Sequence, residues 1–334
     1  MSRQLFEYHP VIAYRFIPGL KTRVLHENGG YLVRVNNCGF RCNHDIETKH
    51  KTPGVRRILL FGDSFTAGDG VSNEKRYGDL LEKKIPNLEV YNFGLPGSGT
   101  DQQYLTYREF AIDIEHDVLV IAVLVENIRR VTARYRYYHN EQGDQVCYAK
   151  PYFELLGDRL VLRNVPPAVE PVQEEDLSDE ENEAIDRVGR YPRLRNWLIK
   201  TRTERLAHKI IRFQPYDHYN HSEHPAWVLM RAILEEWIRG HKGPVVLMPI
   251  PVYYYVEEMS DPSPYQARFR ELASETGCTL HDPLSDLMQY PLEERRSFRF
   301  EKDVHPSPKG HWALATSLAP VLEKVLNGKI ETNG

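Results

Sequence analysis

A serine that directly follows an apolar run is the first residue of this sequence that could perform covalent chemistry. The run at residues 57–61 (RILLF) is continued by Gly62-Asp63-Ser64, and it predicts a buried strand that ends in a turn. Reactive groups in an open parallel sheet collect beyond the carboxyl ends of the strands. Ser64 is therefore a candidate nucleophile, and the alternative is a serine that only caps the following helix.

A serine nucleophile needs a base, and the sequence offers one close to its other end. His305 precedes a predicted final helix and can accept the serine proton, while Asp303 can orient the imidazole and stabilise its charged form. Glu301 and Asp282 are alternative acids, and a Ser–His dyad without an acid is a further possibility. His311 is an alternative base, although we expect it inside the final helix and directed into the fold.

Acyl transfer also requires donors to the developing oxyanion, and two residues after predicted strands could supply them. Gly97 lies in a glycine-rich loop after the run at 88–92, and Asn127 follows the apolar run at 118–125. Gly94 and Gly99 are alternative donors in the same loop. The simpler interpretation is that Gly97 serves a tight turn and that Asn127 ends a strand.

Strand-like runs alternate with helical patterns through most of the chain, which predicts an α/β fold with a parallel sheet. Ser307-Pro308 should begin the last helix, and Pro320 should kink it or end it early. Residues 1–55 predict a small β-rich extension, followed by a main domain at 56–330. Residues 128–225 form a helical and loop insertion, with a hairpin around Gly157, an acidic connector at 174–181 and a basic amphipathic helix.

Composition excludes several classes of protein. The chain has 334 residues with 43 Lys and Arg against 47 Asp and Glu, so its net charge of −4 argues against a basic nucleic-acid binder. The apolar run at 118–125 is too short to span a membrane, and no export signal is visible at the N-terminus. The four scattered cysteines favour a reducing compartment, so a cytoplasmic location is expected. We predict no oligomeric state.

Two histidine or cysteine groups raise the possibility of a metal site, and we predict none. His218, His221 and His224 are spaced by three, but they lie among turn-forming residues and no second ligand cluster accompanies them. Cys38 and Cys42 lack a second cysteine pair. No phosphate-binding motif follows the glycine-rich loop, so no cofactor is predicted.

The motifs occur in an order that resembles the SGNH hydrolases of the GDSL esterase/lipase superfamily. The resemblance implies a three-layer α/β/α, flavodoxin-like fold with Ser64 as nucleophile and His305 and Asp303 as base and acid. It assigns the oxyanion donors to the Ser64 N–H, the Gly97 N–H and the Asn127 side-chain amide. Two departures are that the acid stands two rather than three positions before the histidine, and that the residue after the asparagine is isoleucine rather than aspartate.

The same resemblance implies a serine esterase that cleaves a short-chain acyl ester, such as an acetyl ester, of a carbohydrate or small metabolite. One alternative is an acyltransferase that uses the same serine, and another is a non-catalytic binding protein on the same fold. Arg129 and Arg130 follow the candidate oxyanion asparagine closely and could bind an anionic substrate. The competing interpretation is that they lie on a solvated face or pair with the acidic connector.

Overall fold

The computed structural model describes residues 4–47, 49–139, 145–173, 177 and 214–328. Within them the strands, in chain order, are β1 (Phe6–His9), β2 (Ala13–Phe16), β3 (Lys21–Val24), β4 (Tyr31–Arg34), β5 (Arg56–Phe61), β6 (Leu88–Asn92), β7 (Val118–Leu124), β8 (Tyr135–His139), β9 (Gln145–Ala149), β10 (Tyr152–Leu156), β11 (Arg159–Arg163), β12 (Val245–Ile250) and β13 (Thr279–Leu280).

The α-helices of the described residues are α1 (Ser64–Ala67), α2 (Tyr77–Lys84), α3 (Thr100–Thr106), α4 (Pro225–Gly240), α5 (Tyr253–Val256), α6 (Ser263–Thr276), α7 (Leu284–Leu287), α8 (Leu292–Arg295) and α9 (Pro308–Leu326). Short 3-10 turns lie at Asn73–Lys75, Val125–Arg129, Asp217–Tyr219 and Arg296–Phe298, and a π-helical turn, Tyr107–Ala111, continues α3.

The central sheet has five parallel strands in the order β13-β12-β7-β5-β6. Strands β7 and β12 are buried along their whole length, which explains why their sequences are continuous apolar runs. Numbered along the chain, these strands have the 2-1-3-4-5 order of flavodoxin-like folds. The predicted fold class is confirmed, and the order reverses between β5 and β7, which opens a crevice at their carboxyl ends.

Helices cover both faces of this sheet because successive strand side chains point to opposite sides. On one face Leu60 lies against Gly78 of α2, where a Cβ would come within 3.1 Å of the Leu60 Cδ2. On the other face Phe61 packs edge-on against Trp237 of α4, with ring centroids 5.3 Å apart. Helix α9 packs on α2, and α6 packs on α4, which completes the three layers.

The final helix begins as predicted and does not end early. Ser307 caps it by accepting a hydrogen bond from the Gly310 N–H, and Pro308 occupies its first turn. The expectation that Pro320 would end this helix early is wrong, because α9 continues to Leu326. Leu322 and Val325 lie beyond the proline and are buried in the main hydrophobic core, so this packing stabilises the last turns.

The N-terminal region is β-rich, as the sequence predicts, and it shares the main hydrophobic core. Strands β1 and β2 pair antiparallel, as do β3 and β4. Ile12 is fully buried. The Phe40 ring packs edge-on against the rings of Phe93 and Phe110, with centroids 5.1 and 5.0 Å apart. The boundary near residue 55 stays a prediction, although these contacts argue against an extension that folds separately.

The described part of the insertion contains two antiparallel hairpins, β8–β9 and β10–β11. The hairpin around Gly157 is confirmed. The sequence reasoning missed β8, although its tyrosine and arginine residues near Tyr135 alternate in a way that is typical of a strand. The acidic connector and the predicted basic helix lie outside the described residues, apart from Leu177. None of the described helices is long and apolar enough to span a membrane.

Candidate active site

The strand-to-helix turn after β5 presents Ser64 at the carboxyl edge of the sheet. A side chain at Gly62 would collide with the Thr66 side chain and come within 2.9 Å of the Ala122 carbonyl oxygen, so glycine is required there. The Asp63 carboxylate caps α1 by accepting a hydrogen bond from the Phe65 N–H at 3.0 Å. Ser64 is consequently the first residue of α1, where the helix itself does not use its N–H.

Ser64, His305 and Asp303 form one continuous hydrogen-bonded chain. The His305 Nε2 lies 2.9 Å from the Ser64 Oγ, and the His305 Nδ1 lies 2.6 Å from the Asp303 Oδ1. The same Asp303 oxygen accepts a hydrogen bond from the His305 backbone N–H at 3.1 Å. This arrangement suits a histidine that removes the serine proton at Nε2 while its Nδ1–H is held by a carboxylate.

The charges around His305 favour its protonated form. Burial lowers the pKa of His305, but the hydrogen bond to Asp303 and the nearby carboxylates of Asp69 and Asp63 outweigh it, so the net pKa is raised above 6.5. For Asp303, burial acts to raise the pKa, whereas hydrogen bonds from His305 and His26 bring it below its usual range. The pair therefore stabilises an imidazolium next to a carboxylate, which is the charge state formed when a serine is deprotonated.

Two candidate oxyanion donors follow the strands β7 and β6, which pair with β5 on its two sides. Asn127 lies in the 3-10 turn after β7, is fully buried, and neither atom of its amide has a hydrogen-bond partner among the described residues. Gly97 has φ +77°, and its N–H likewise has no acceptor within the described part of the chain. A buried amide without partners is costly unless a ligand satisfies it, so Asn127 fits a donor that waits for substrate, and the half-buried Gly97 offers a free N–H beside it in the family's motif order.

A family model matches the part of the chain that holds these residues. The model of the GDSL-like lipase/acylhydrolase family matches residues 60–313, a span that contains the serine turn, both candidate donors and His305. The chain belongs to this family. The enzyme class predicted from the sequence, a GDSL-type serine hydrolase, is thereby confirmed.

Solved structures that match the chain have low sequence identity to it. A lipase/acylhydrolase from Enterococcus faecalis has 16% identity and a TM-score of 0.43, and the match covers 84% of this chain and 100% of that one. An acetyl xylan esterase from Geobacillus stearothermophilus has 16% identity and a TM-score of 0.42, covering 83% of this chain and 97% of that one. No curated protein sequence matches the chain.

The alternative acids and the alternative base lie elsewhere in this GDSL-family structure. Asp282 accepts hydrogen bonds from Tyr265 and Gln266, and it caps the turn at α7. Glu301 is exposed. His311 is buried within α9, where its Nδ1 accepts a hydrogen bond from a backbone N–H at 3.3 Å, and burial lowers its pKa to about 3.

The loop that supplies Gly97 holds two other glycines with different surroundings. The Gly94 N–H donates to the Asn92 Oδ1 at 2.8 Å, so it is already engaged. A Cβ at Gly94 would also come within 2.4 Å of the Ala67 nitrogen, which shows how closely this loop packs on α1. Gly99 precedes the first residue of α3 and remains an alternative donor.

The two arginines proposed as substrate ligands occupy different environments. Arg130 is buried, and its guanidinium contacts the Asp63 Oδ2 at 2.8 Å and the Glu126 Oε1 at 3.0 Å. Burial raises the pKa of Asp63, and the adjacent Arg130 opposes that rise. Arg129 is exposed, lies 4.9 Å from the ring of Tyr216, and donates to a backbone carbonyl. The contacts of Arg130 fit a structural role under the nucleophile turn, and a role for either residue in substrate binding stays a prediction.

No cluster of three or more His, Cys, Asp or Glu side chains that could hold a metal ion occurs in the ranges that the structure describes. Of the three histidines near residue 220, His224 caps α4 by accepting a hydrogen bond from the Ala226 N–H. His218 lies in the preceding 3-10 turn.

The sequence reasoning missed the contacts that the N-terminal region and β8 make around the candidate site. The Tyr14 hydroxyl donates to the Pro96 carbonyl, beside Gly97, and the Arg136 guanidinium lies near the same glycine. The His26 Nε2 is 3.1 Å from the second oxygen of Asp303. No local motif marks these residues, because each is defined only by what the tertiary structure brings next to it.

Proposed function

We propose that this protein is a serine esterase that cleaves a short-chain acyl ester through an acyl-enzyme on Ser64. The observation that carries the proposal is the hydrogen-bonded chain from the Ser64 Oγ through His305 to Asp303, with separations of 2.9 and 2.6 Å. A histidine at this distance from a hydroxyl can accept its proton in the step that makes the serine nucleophilic.

The reaction follows from the positions of these atoms. As the Ser64 Oγ bonds to the ester carbonyl carbon, its proton passes to the His305 Nε2. The negative charge that develops on the carbonyl oxygen is bound by the N–H groups of Ser64 and Gly97 and by the Asn127 Nδ2. When the tetrahedral intermediate collapses, the C–O bond to the leaving group breaks. The imidazolium protonates the leaving oxygen, which departs as the alcohol. A water molecule, deprotonated by the same imidazole, then releases the carboxylic acid and restores the serine.

A small pocket supports a short acyl group; its lining is mostly apolar but includes Glu257, Arg295 and Arg299, and neither Ser64 nor His305 lines it. Phe65, Val304 and Pro306 line it, and these residues adjoin Ser64 and His305 in the chain. Its volume is about 40 Å³. Because one water-sized group needs roughly 10–15 Å³ by this measure, the pocket fits a small acyl chain better than a fatty one. Sugars and other small alcohols remain the proposed leaving groups.

Labelling by a fluorophosphonate tests the nucleophile, and the chain offers a matched control. Ser317 is buried like Ser64 and also contacts a histidine and an aspartate, at 2.9 Å to the His281 Nε2 and 2.6 Å to the Asp286 Oδ2. Its hydroxyl donates to Asp286, so it must accept from the histidine, and burial lowers the pKa of His281 to about 4. With its Nε2–H directed at the serine, His281 presents no lone pair there that could take the serine proton.

We expect Ser64→Ala to abolish both labelling and the hydrolysis of nitrophenyl acetate, while Ser317→Ala retains both. Wild-type protein should cleave the acetate faster than the octanoate. Labelling that persists in Ser64→Ala would refute the proposed nucleophile. Adding sugars or simple alcohols as acceptors separates the acyltransferase alternative, since a transferase forms a new ester in preference to free acid.

A further inference from the structure

His26 is a residue of the N-terminal region that contacts the proposed acid from the side opposite His305. It lies in the segment between β3 and β4, and its Nε2 is 3.1 Å from the Asp303 Oδ2. The other carboxylate oxygen, Oδ1, already accepts hydrogen bonds from the side chain and backbone of His305. The two histidines therefore divide the carboxylate between them. The His26 side chain is only 11% exposed, so water competes little for this contact.

The second nitrogen of His26 also faces an acceptor. Its Nδ1 lies 3.1 Å from the Asn28 Oδ1. The orientation of that amide is defined by its other contacts, since Oδ1 accepts from the Gly30 N–H and Nδ2 donates to the Gly70 carbonyl. Neutral histidine has one N–H donor, whereas the protonated ring has two. With its proton on Nε2, the neutral ring donates to the Asp303 Oδ2.

Packing and backbone contacts hold this arrangement in place. The ring of His26 packs edge-on against Phe300, with centroids 4.4 Å apart. Gly70 permits the approach, since a Cβ there would come within 2.4 Å of the Phe300 ring and 3.2 Å of the His26 Nε2. The next residue, Glu27, accepts hydrogen bonds from the backbone N–H groups of Lys302 and Asp303. The segment thus grips both the backbone and the side chain of the acid loop.

We propose that His26 is a positioning residue that extends the relay to Ser64–His305–Asp303–His26. This inference rests on the proposed function. His26 fixes the Asp303 carboxylate in the orientation that His305 requires, because it holds the carboxylate oxygen that His305 does not use.

The charged and titratable groups around His26 come from several segments. Asp303 contacts the ring directly, Glu27 adjoins it in the chain, and Asp69 interacts with it through space. The centroid of the Tyr31 ring lies 6.0 Å from that of the His26 ring. The guanidinium of Arg41 lies 5.3 Å from the centroid of the same tyrosine ring. None of the variants below changes these groups.

The test compares His26→Ala, His26→Gln and His44→Gln with the wild type. His44 is the matched control, because it also lies in the N-terminal region and pairs with a carboxylate, Glu82, but does not touch the site. Titration with a fluorophosphonate counts the active molecules in each preparation, so that rates are expressed per site. The substrate is nitrophenyl acetate, and kcat and KM are measured across about pH 5–9.

We expect His26→Ala to lower kcat per site about tenfold or more, with little change in KM, because a misplaced catalytic group slows the chemical step. His26→Gln retains an N–H donor, so it should keep most of the wild-type rate that His26→Ala loses. His44→Gln should match the wild type in all respects.

A role in folding alone would reduce the titratable sites and leave the per-site kcat unchanged, and that result would overturn the inference. A per-site kcat that falls about tenfold or more in His26→Gln would overturn the role of the retained N–H donor even if His26→Ala did not fold. Failure of the proposed function has a different signature, since the wild type would then show no Ser64-dependent labelling at all.

Discussion

The short spacing between the proposed acid and base has a structural explanation at the scale of single residues. Asp303 precedes His305 by two positions, and its Oδ1 accepts both the backbone N–H and the Nδ1–H of that histidine. A side-chain oxygen that bonds to the N–H two residues later is an Asx turn. The turn brings the carboxylate back to the imidazole, so the missing third position does not prevent the contact that orients the base.

The raised pKa of His305 predicts a pH dependence. The general base must be neutral, so kcat/KM should fall as pH decreases through the pKa of His305. Because carboxylates raise that pKa above 6.5, we expect the acid limb to have its midpoint above 6.5. The measurement is kcat/KM for nitrophenyl acetate over about pH 5–9. A midpoint below 6.5 would contradict the electrostatic description, and the rate of fluorophosphonate labelling provides an independent profile.

At the scale of elements, the 3-10 turn after β7 supports the turn that carries the nucleophile. Arg130 and Glu126 lie at its two ends and pair with each other, while Arg130 also reaches Asp63 beside Ser64. Asp63 is fully buried and caps α1 through the Phe65 N–H. The ends of β5 and β7 are adjacent in the sheet, so this ion pair joins two neighbouring strand-to-helix connections.

Removing that arginine should destabilise the protein strongly. Arg130→Met leaves the buried Asp63 carboxylate without its cation, which typically lowers the free energy of unfolding by about 3–5 kcal/mol. Arg129→Met is the control, because Arg129 is exposed and its contact with Tyr216 contributes roughly 0.5–1 kcal/mol. Denaturant unfolding of both variants measures the difference. If both variants lose little unfolding free energy and Arg130→Met raises KM for acidic esters only, substrate binding by Arg130 would be favoured instead.

At the scale of the whole molecule, the N-terminal region is part of the catalytic domain's core. Arg41 is fully buried and donates to the Gly68 and Val71 carbonyls at 2.7 Å, directly after the nucleophile helix. Ile12, Tyr14 and Phe40 belong to the same hydrophobic cluster as the central sheet. The region that the sequence suggests is an appendage therefore covers one edge of the site.

A chain that begins at residue 55 should not fold stably. It would expose the apolar surface that Ile12 and Phe40 now cover, at a cost of roughly 25 cal/mol per Å² of that surface. It would also leave without partners the carbonyls that Arg41 satisfies. We expect loss of soluble protein or of cooperative thermal unfolding, followed by circular dichroism. A truncated chain that melts cooperatively at the wild-type temperature would show that the extension is separable.

The sequence by itself determined the class of fold and the linear motifs. A strand whose sequence is apolar at every position needs cover on both faces, which helices on both sides of a parallel sheet supply. A serine directly after such a strand lies at the carboxyl edge of the sheet. Ser64, His305, Gly97 and Asn127 could be selected in this way because each follows a strand or precedes a helix. Family resemblance supplied their proposed roles.

Only the tertiary structure decided which acid meets His305, that Arg130 pairs with Asp63, and that His26 contacts Asp303. The last two are contacts between segments far apart in the chain; His26 and Asp303 are separated by 277 positions. Periodicity reports which face of an element is buried, but not which side chain it meets. The identity of such partners depends on side-chain packing and charge across the assembled fold, and no local pattern encodes it.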